Sequence, residues 1–203
     1  MIPEIVTSSY RKQPPKPIVV TEPWYEFIRD NPTADEIRFG AWSAMLSGAA
    51  GHTYGGGHVW KAHVPEAPAG NDSWPMEMNF DANTLDYPGA QSIGYLSQFF
   101  HQIEWWKLEP HPEVVMDNPS PYCAAILGQE YVIFLRWGGT VKVNLKDAES
   151  GSTFTDLWID LVNQKTVKEG KTTGGSVVEL QPPEDYPGVL HTKDWVIHLQ
   201  KNR

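Results

Sequence analysis

Residues 16–26, KPIVVTEPWYE, decide how this chain is read. At their centre, Ile18, Val19, Val20 and Thr21 form an unbroken β-branched run. Such a run suits a strand buried on both faces, as in a parallel sheet, better than a half-exposed one. Pro23 cannot continue a sheet ladder, so the strand stops at Glu22 and leaves that carboxylate at its C-terminal end. On the upstream side, RKQPPKP (residues 11–17) is a stiff, proline-rich approach.

Moving outward, Asn31-Pro32 breaks the chain, and Thr33 with Glu36 forms a capping box that opens a helix. Ile37, Ala41, Ala44 and Met45 give the helical stripe, and Gly48 is the stop signal. Residues 49–54, AAGHTY, predict a second short strand, ended by Gly55, Gly56 and Gly57. Residues 18–57 thus read as a βαβ unit with parallel strands. Residues 61–87 show no period and read as a long surface loop, a length more common at functional sites than in plain connections. Pro88 opens a second helix with Ile93, Leu96, Phe99, Phe100 and Ile103 on its buried side, closed by Trp105-Trp106 and Pro110.

Beyond about residue 113 the pattern changes to short β-rich runs: 123–127, 131–137, 141–145, 154–159, 176–180 and 195–199. Tyr131, Ile133, Leu135 and Trp137 alternate, although Val132 and Phe134 blur the pattern. Gly138-Gly139 and Gly174-Gly175 mark turns. Strands at this spacing predict an antiparallel sandwich. The expected fold class is α/β plus all-β, divided into residues 1–113 and 114–203. No internal repeat is evident.

Composition narrows the partners. The 203 residues carry a net charge of −9, which argues against nucleic acid, because phosphate binding needs a basic face. Nine Trp, eight Tyr and seven Phe serve equally for core packing and for stacking on sugar rings. Cys123 lies in an apolar run and reads as a small buried hydrophobe rather than a nucleophile. No run of about 18 apolar residues predicts a membrane span. Met1 to Arg11 has no basic stretch followed by an apolar one, so it is not a secretory signal. A leader on an upstream segment would place the protein in the periplasm or outside the cell.

In parallel α/β folds, sites form at the C-terminal ends of strands. The first strand end presents Glu22, Trp24, Tyr25 and Glu26. The second presents His52 and Tyr54, with His58 and Trp60 just beyond. Carboxylate, aromatic, imidazole and phenol groups at one rim are the composition of a sugar site. Each group also has a plainer use. Glu22 can cap a loop, Glu26 can orient Glu22 or Arg38 or face water, Trp24 and Tyr25 can fill a core, and His52 can be a hydrogen-bonded core histidine. His52, His58 and His63 match no zinc spacing. Asp81, Asn83 and Asp86 lack the glycine and closing glutamate of a calcium loop. No metal or cofactor is expected.

The stretches KPIVVTEPWYE, AWSAMLSGAAGHTYGGGHVW (41–60) and PGAQSIGYLSQFF (88–100) together resemble the C-terminal part of the apiosidase-like (DUF4038) glycoside hydrolase barrel. The remainder resembles the small β-domain that follows it, labelled collagen-binding in that family. An acidic sandwich shows no groove signature for a triple helix. The resemblance implies that the strands at 18–21 and 49–54 are barrel strands seven and eight. It implies that Glu22 is the nucleophile and that His52 and Tyr54 line the sugar subsite. It also implies that the acid/base carboxylate lies on an earlier strand, which nothing in this sequence matches. A barrel needs eight strands, and retaining hydrolysis needs two carboxyl groups about 5–5.5 Å apart. A second chain or an upstream segment is therefore expected to complete the barrel around an oligo- or polysaccharide. The competing function is a non-catalytic carbohydrate-binding or structural module. An acyl hydrolase would need a G-x-S-x-G elbow, which is missing.

Overall fold

A computed structural model of the protein describes residues 2–21, 23–27, 32–57, 82–118, 121–183 and 194–202. The strand–helix–strand unit is present, with shorter strands than the sequence pattern implied. Strand β1 (Val19–Val20) pairs in parallel with β3 (Gly51–His52). A second parallel pair lies just beyond it: β2 (Tyr25–Glu26) with β4 (Gly55–Gly56). The glycines after Tyr54 therefore do more than end a strand. Gly55 leaves room for the Tyr25 ring, which would collide with a Cβ at that position.

Helix α2 (Ala34–Leu46) begins where the capping box placed it: the Thr33 N–H donates to Glu36 Oε2 at 2.7 Å. A helix α1 (Ile2–Tyr10), which no sequence pattern announced, packs on α2. It buries Val6 against Ala44 and Ala49, with Ile18 and Val20 alongside. Ile18 and Val20 thus face the helices. Val19 points to the opposite face of the strand and is 53% exposed.

Helix α3 (Pro88–His101) starts at the expected proline but ends before Trp105-Trp106, which lie in a separate 3₁₀ turn (Trp105–Lys107). Residues 82–86, expected as loop, form another 3₁₀ turn. Residues 61–81 of the expected long loop lie outside the described residues.

The β-rich part builds two antiparallel sheets. In one, strands β5 (Glu109–Pro110), β7 (Tyr122–Ile126), β8 (Glu130–Leu135), β10 (Thr153–Asp160), β11 (Lys165–Thr173) and β13 (Trp195–Lys201) lie in the order β11-β10-β13-β8-β7-β5. In the other, β6 (Val115–Met116), β9 (Val141–Asn144) and β12 (Val177–Leu180) lie in the order β12-β9-β6. β5 precedes residue 114 yet belongs to the larger sheet.

The larger sheet is covered on both sides. Tyr131, Ile133, Leu135, Phe154, Trp158, Trp195, Ile197 and Leu199 share a core with Val115, Val141, Val143 and Leu180 of the smaller sheet. The intervening residues Val132, Phe134, Ile159 and Val196 point the other way, onto Ala41, Trp42 and Leu46 of α2 and Leu96, Phe99 and Phe100 of α3. All six residues of β8 are buried, which explains the blurred alternation there. At about 2 kcal/mol for each fully buried large apolar side chain, this strand is a principal source of stability. Arg38 on α2 adds a polar tie. Its guanidinium donates to Asp194, just before β13, at 2.9 Å and to Asp35 at 2.5 Å. Among the described residues no helix is long and apolar enough to cross a membrane.

Candidate active site

Past the C-terminal ends of β1 and β3, Glu26 meets Tyr54 and the Tyr25 ring lies against Gly55, whereas Trp24 packs on Gly40 of α2. Glu22, His58 and Trp60 lie outside the described residues, as do His63 and Asp81. Glu26 is the best-defined group. It is 2% exposed, and its Oε2 accepts from the Tyr54 hydroxyl at 2.8 Å. The Gly89 N–H also donates to it, at 3.1 Å to Oε2 and 3.3 Å to Oε1. Gly89 stands in the first turn of α3, where unpaired N–H groups and the helix dipole favour a carboxylate. A Cβ on Gly89 would collide with that carboxylate. Glu26 therefore neither faces water nor binds Arg38, whose guanidinium is taken up by Asp194 and Asp35. It fixes the rim to α3.

Tyr54 is a proton donor in this arrangement. Burial, and then the bond to Glu26, push its phenol well above the usual tyrosine range, so its proton stays in place. Trp24 and Tyr25 are half-buried. The Trp24 ring lies close over Gly40 of α2 and the Tyr25 ring over Gly55, so each has one side against backbone. That packing holds the rings in position and leaves part of each accessible.

His52 sits opposite Val20 in the β1–β3 register. Residues in register share a face of the sheet, so its side chain lies on the helix side with Val20, not on the Val19 side. Both imidazole nitrogens are buried with no hydrogen-bond partner among the described residues. Burial lowers the pKa of His52 from 6.5 to about 4, so the ring is neutral at physiological pH.

Two aromatic residues at this rim were missed from the sequence. Phe27 adopts φ 63°, a left-handed conformation that bulky residues avoid, and its ring meets Tyr87 edge-on at 4.7 Å. Only its position directly after Glu26 could have drawn attention to it. Among the described residues no cluster of His, Cys, Asp and Glu could hold a metal ion. The chemistry assembled here is a partly exposed aromatic rim, a protonated phenol and a buried, structurally committed carboxylate.

Comparison with known proteins bears on what this rim belongs to. Residues 1–107 match the family described as "Apiosidase-like, catalytic domain", a match that ends ahead of the antiparallel sheets. No curated protein matches the chain. Among solved structures, the chain is similar to one described as a glycoside hydrolase, at 17% identity and a TM-score of 0.80. The match takes in 98% of this chain and 45% of that one. It is equally similar to a glycoside hydrolase family 5 structure from Bacteroides vulgatus, at 18% identity and a TM-score of 0.80, covering 98% of this chain and 44% of that one. The chain thus spans less than half the length of the structures it matches, and at this identity the likeness is one of fold.

Proposed function

Because the chain belongs to the apiosidase-like catalytic-domain family, we propose that it forms the late part of a glycoside hydrolase that cleaves a plant-type or complex polysaccharide. In this proposal β1 and β3 are strands seven and eight of a (β/α)8 barrel, residues 1–113 form its catalytic part, and residues 114–203 form a β-sandwich that buttresses it. Glu22 is the nucleophile. Trp24, Tyr25, Tyr54, His58 and Trp60 are the sugar-binding set, with Glu26 holding Tyr54 and the rim in place; His52, whose ring nitrogens are buried, packs behind them on the helix side.

The observation that carries the proposal is the parallel pair Val19–Val20 with Gly51–His52, whose C-terminal ends lead into Glu22 and Tyr54. Barrel enzymes place their chemistry at that end of their strands. Two features support a completing polypeptide. A parallel sheet is normally covered on both faces, yet Val19 is 53% exposed. The matched structures also have more than half of their length beyond what this chain covers. The acid/base carboxylate then comes from outside this chain, on an upstream segment or a second polypeptide.

The test is Glu22→Gln in the assembled enzyme, assayed on aryl glycosides and plant polysaccharides. Turnover is expected to vanish while thermal stability and sugar binding persist. Undiminished turnover would remove Glu22 from the mechanism. Glycan binding without hydrolysis by the assembled wild-type protein would favour the binding-module reading instead.

A further inference from the structure

At the opposite end of β1 and β3 from Tyr54 and Glu26 there is a cavity of about 290 Å³. Pro17 and Ala50, which lead into the two strands, line it together with Tyr10, Trp105, Trp106 and Glu109. It lies where α1, the 3₁₀ turn at Trp105–Lys107 and the edge strand β5 converge.

Trp106 is 63% exposed, a large apolar surface to leave in water. Trp105 braces it edge-on, with ring centroids 6.3 Å apart and planes at 82°. Tyr10 is 41% exposed, yet its position is fixed. Its ring packs so closely on Gly48 that a Cβ there would overlap it, and Gly48 itself holds φ 103°. Two well-placed aromatic rings are thus presented to solvent without the entropy cost of ordering them on binding.

The polar groups around them balance in charge. Lys16, Lys107 and Glu109 line the cavity, and Lys107 is paired with Glu104 at 2.7 Å. With Lys107 neutralised by Glu104 outside the lining, Lys16 and Glu109 leave little net charge to select an ion, but they supply donors and acceptors suited to hydroxyl groups. Aromatic faces combined with such groups match the C–H faces and hydroxyls of a sugar. The volume lies near the lower limit of small-ligand sites, about 300 Å³, and suits a short stretch of a glycan chain.

We infer that this cavity is a second, non-catalytic binding site for a neutral polysaccharide, with Trp106 as its stacking platform. The choice of a sugar as ligand rests on the glycosidase reading above; the site itself is spatially separate from the rim. A chain held there would raise the local concentration of substrate at the same molecule.

The test is affinity electrophoresis of the full chain in the Glu22→Gln background, in gels containing galactomannan, arabinoxylan or mixed-linkage β-glucan, with polygalacturonate as the acidic control. At least one neutral polymer is expected to retard the protein, and Trp106→Ala to weaken that binding at least tenfold, with Trp106→Phe intermediate. An unchanged thermal midpoint for the variants would establish that they fold. Retardation by none of the neutral polymers, retardation by polygalacturonate alone, or equal binding by Trp106→Ala would overturn the inference. Failure of the hydrolase reading is distinguishable. Trp106-dependent binding without turnover by the assembled wild-type enzyme would keep this site and remove the hydrolase. Turnover without Trp106-dependent binding would do the reverse.

Discussion

The Tyr54 hydroxyl donates a 2.8 Å hydrogen bond to Glu26, and the same carboxylate accepts the Gly89 N–H. One buried group therefore joins the end of β2, the segment after β3 and the first turn of α3. Tyr54→Phe is expected to cost about 1–3 kcal/mol, because it removes one donor from a buried carboxylate. Gly89→Ala should cost about 1–3 kcal/mol through the collision with Glu26. In a Glu26→Ala background the Gly89→Ala penalty should disappear, since its cause is gone. Denaturant unfolding of the four variants tests this. Additive penalties would mean that the three groups do not act as a unit.

His52 gives a pH-dependent term. Its pKa is 6.5 when free and about 4 when folded, so between those values the folded state binds fewer protons than the unfolded one. The stability it contributes is complete above pH 6.5 and is lost as the pH falls toward 4. His52→Leu removes, at similar volume, the titration and two buried nitrogens that have no partner among the described residues. Its stability relative to wild type should rise as the pH is lowered from 7 to 4. A pH-independent difference would show that the imidazole is not desolvated.

Asp194 acts with the opposite sign. Burial raises its carboxyl from 3.8 to about 6, against the pull of Arg38, so here the folded state binds the extra proton. The associated stability is complete below pH 3.8 and is lost as the pH rises through 6. Relative to Asp194→Asn, wild-type protein should therefore weaken as the pH rises from 4 to 6.5. In wild type the two terms offset each other over this window, and only the single variants expose them. Parallel pH profiles for wild type and Asp194→Asn would contradict this account.

What could be seen in the sequence follows from what each element relies on. The β1–α2–β3 unit was visible because it depends on local signals: a β-branched run, a capping box and stop residues. Strand β11, residues 165–173 (KTVKEGKTT), was not visible although it is nine residues long. Val167 is its one large apolar residue, and it exists by pairing along β10 at the sheet edge. Helix α1 was missed for a related reason. Its β-branched residues and serines are poor helix formers, and Val6, buried against α2, holds it in place. At the candidate site the rim residues could be listed, but the role of Glu26 could not be read. Its partner Gly89 lies 63 residues away, and nothing local connects the two.

Phe134 is the most direct probe of how the two parts of the chain depend on each other. Its ring stacks on Trp42 of α2 at 6.4 Å and lies 6.3 Å from Phe39 and 6.0 Å from Tyr122. It is fully buried on the helix-facing side of β8, so Phe134→Ala leaves a cavity between helix and sheet. The expected cost is about 3–5 kcal/mol. The loss should also be uneven. Amide hydrogen exchange should accelerate in α2 and α3 more than in β9 and β12, which draw on the core on the other side of the sheet. Phe154→Ala, which opens that other core, should invert the order. Equal acceleration across all four elements in both variants would mean that the two cores open together, and that the helices and sheets form one cooperative unit.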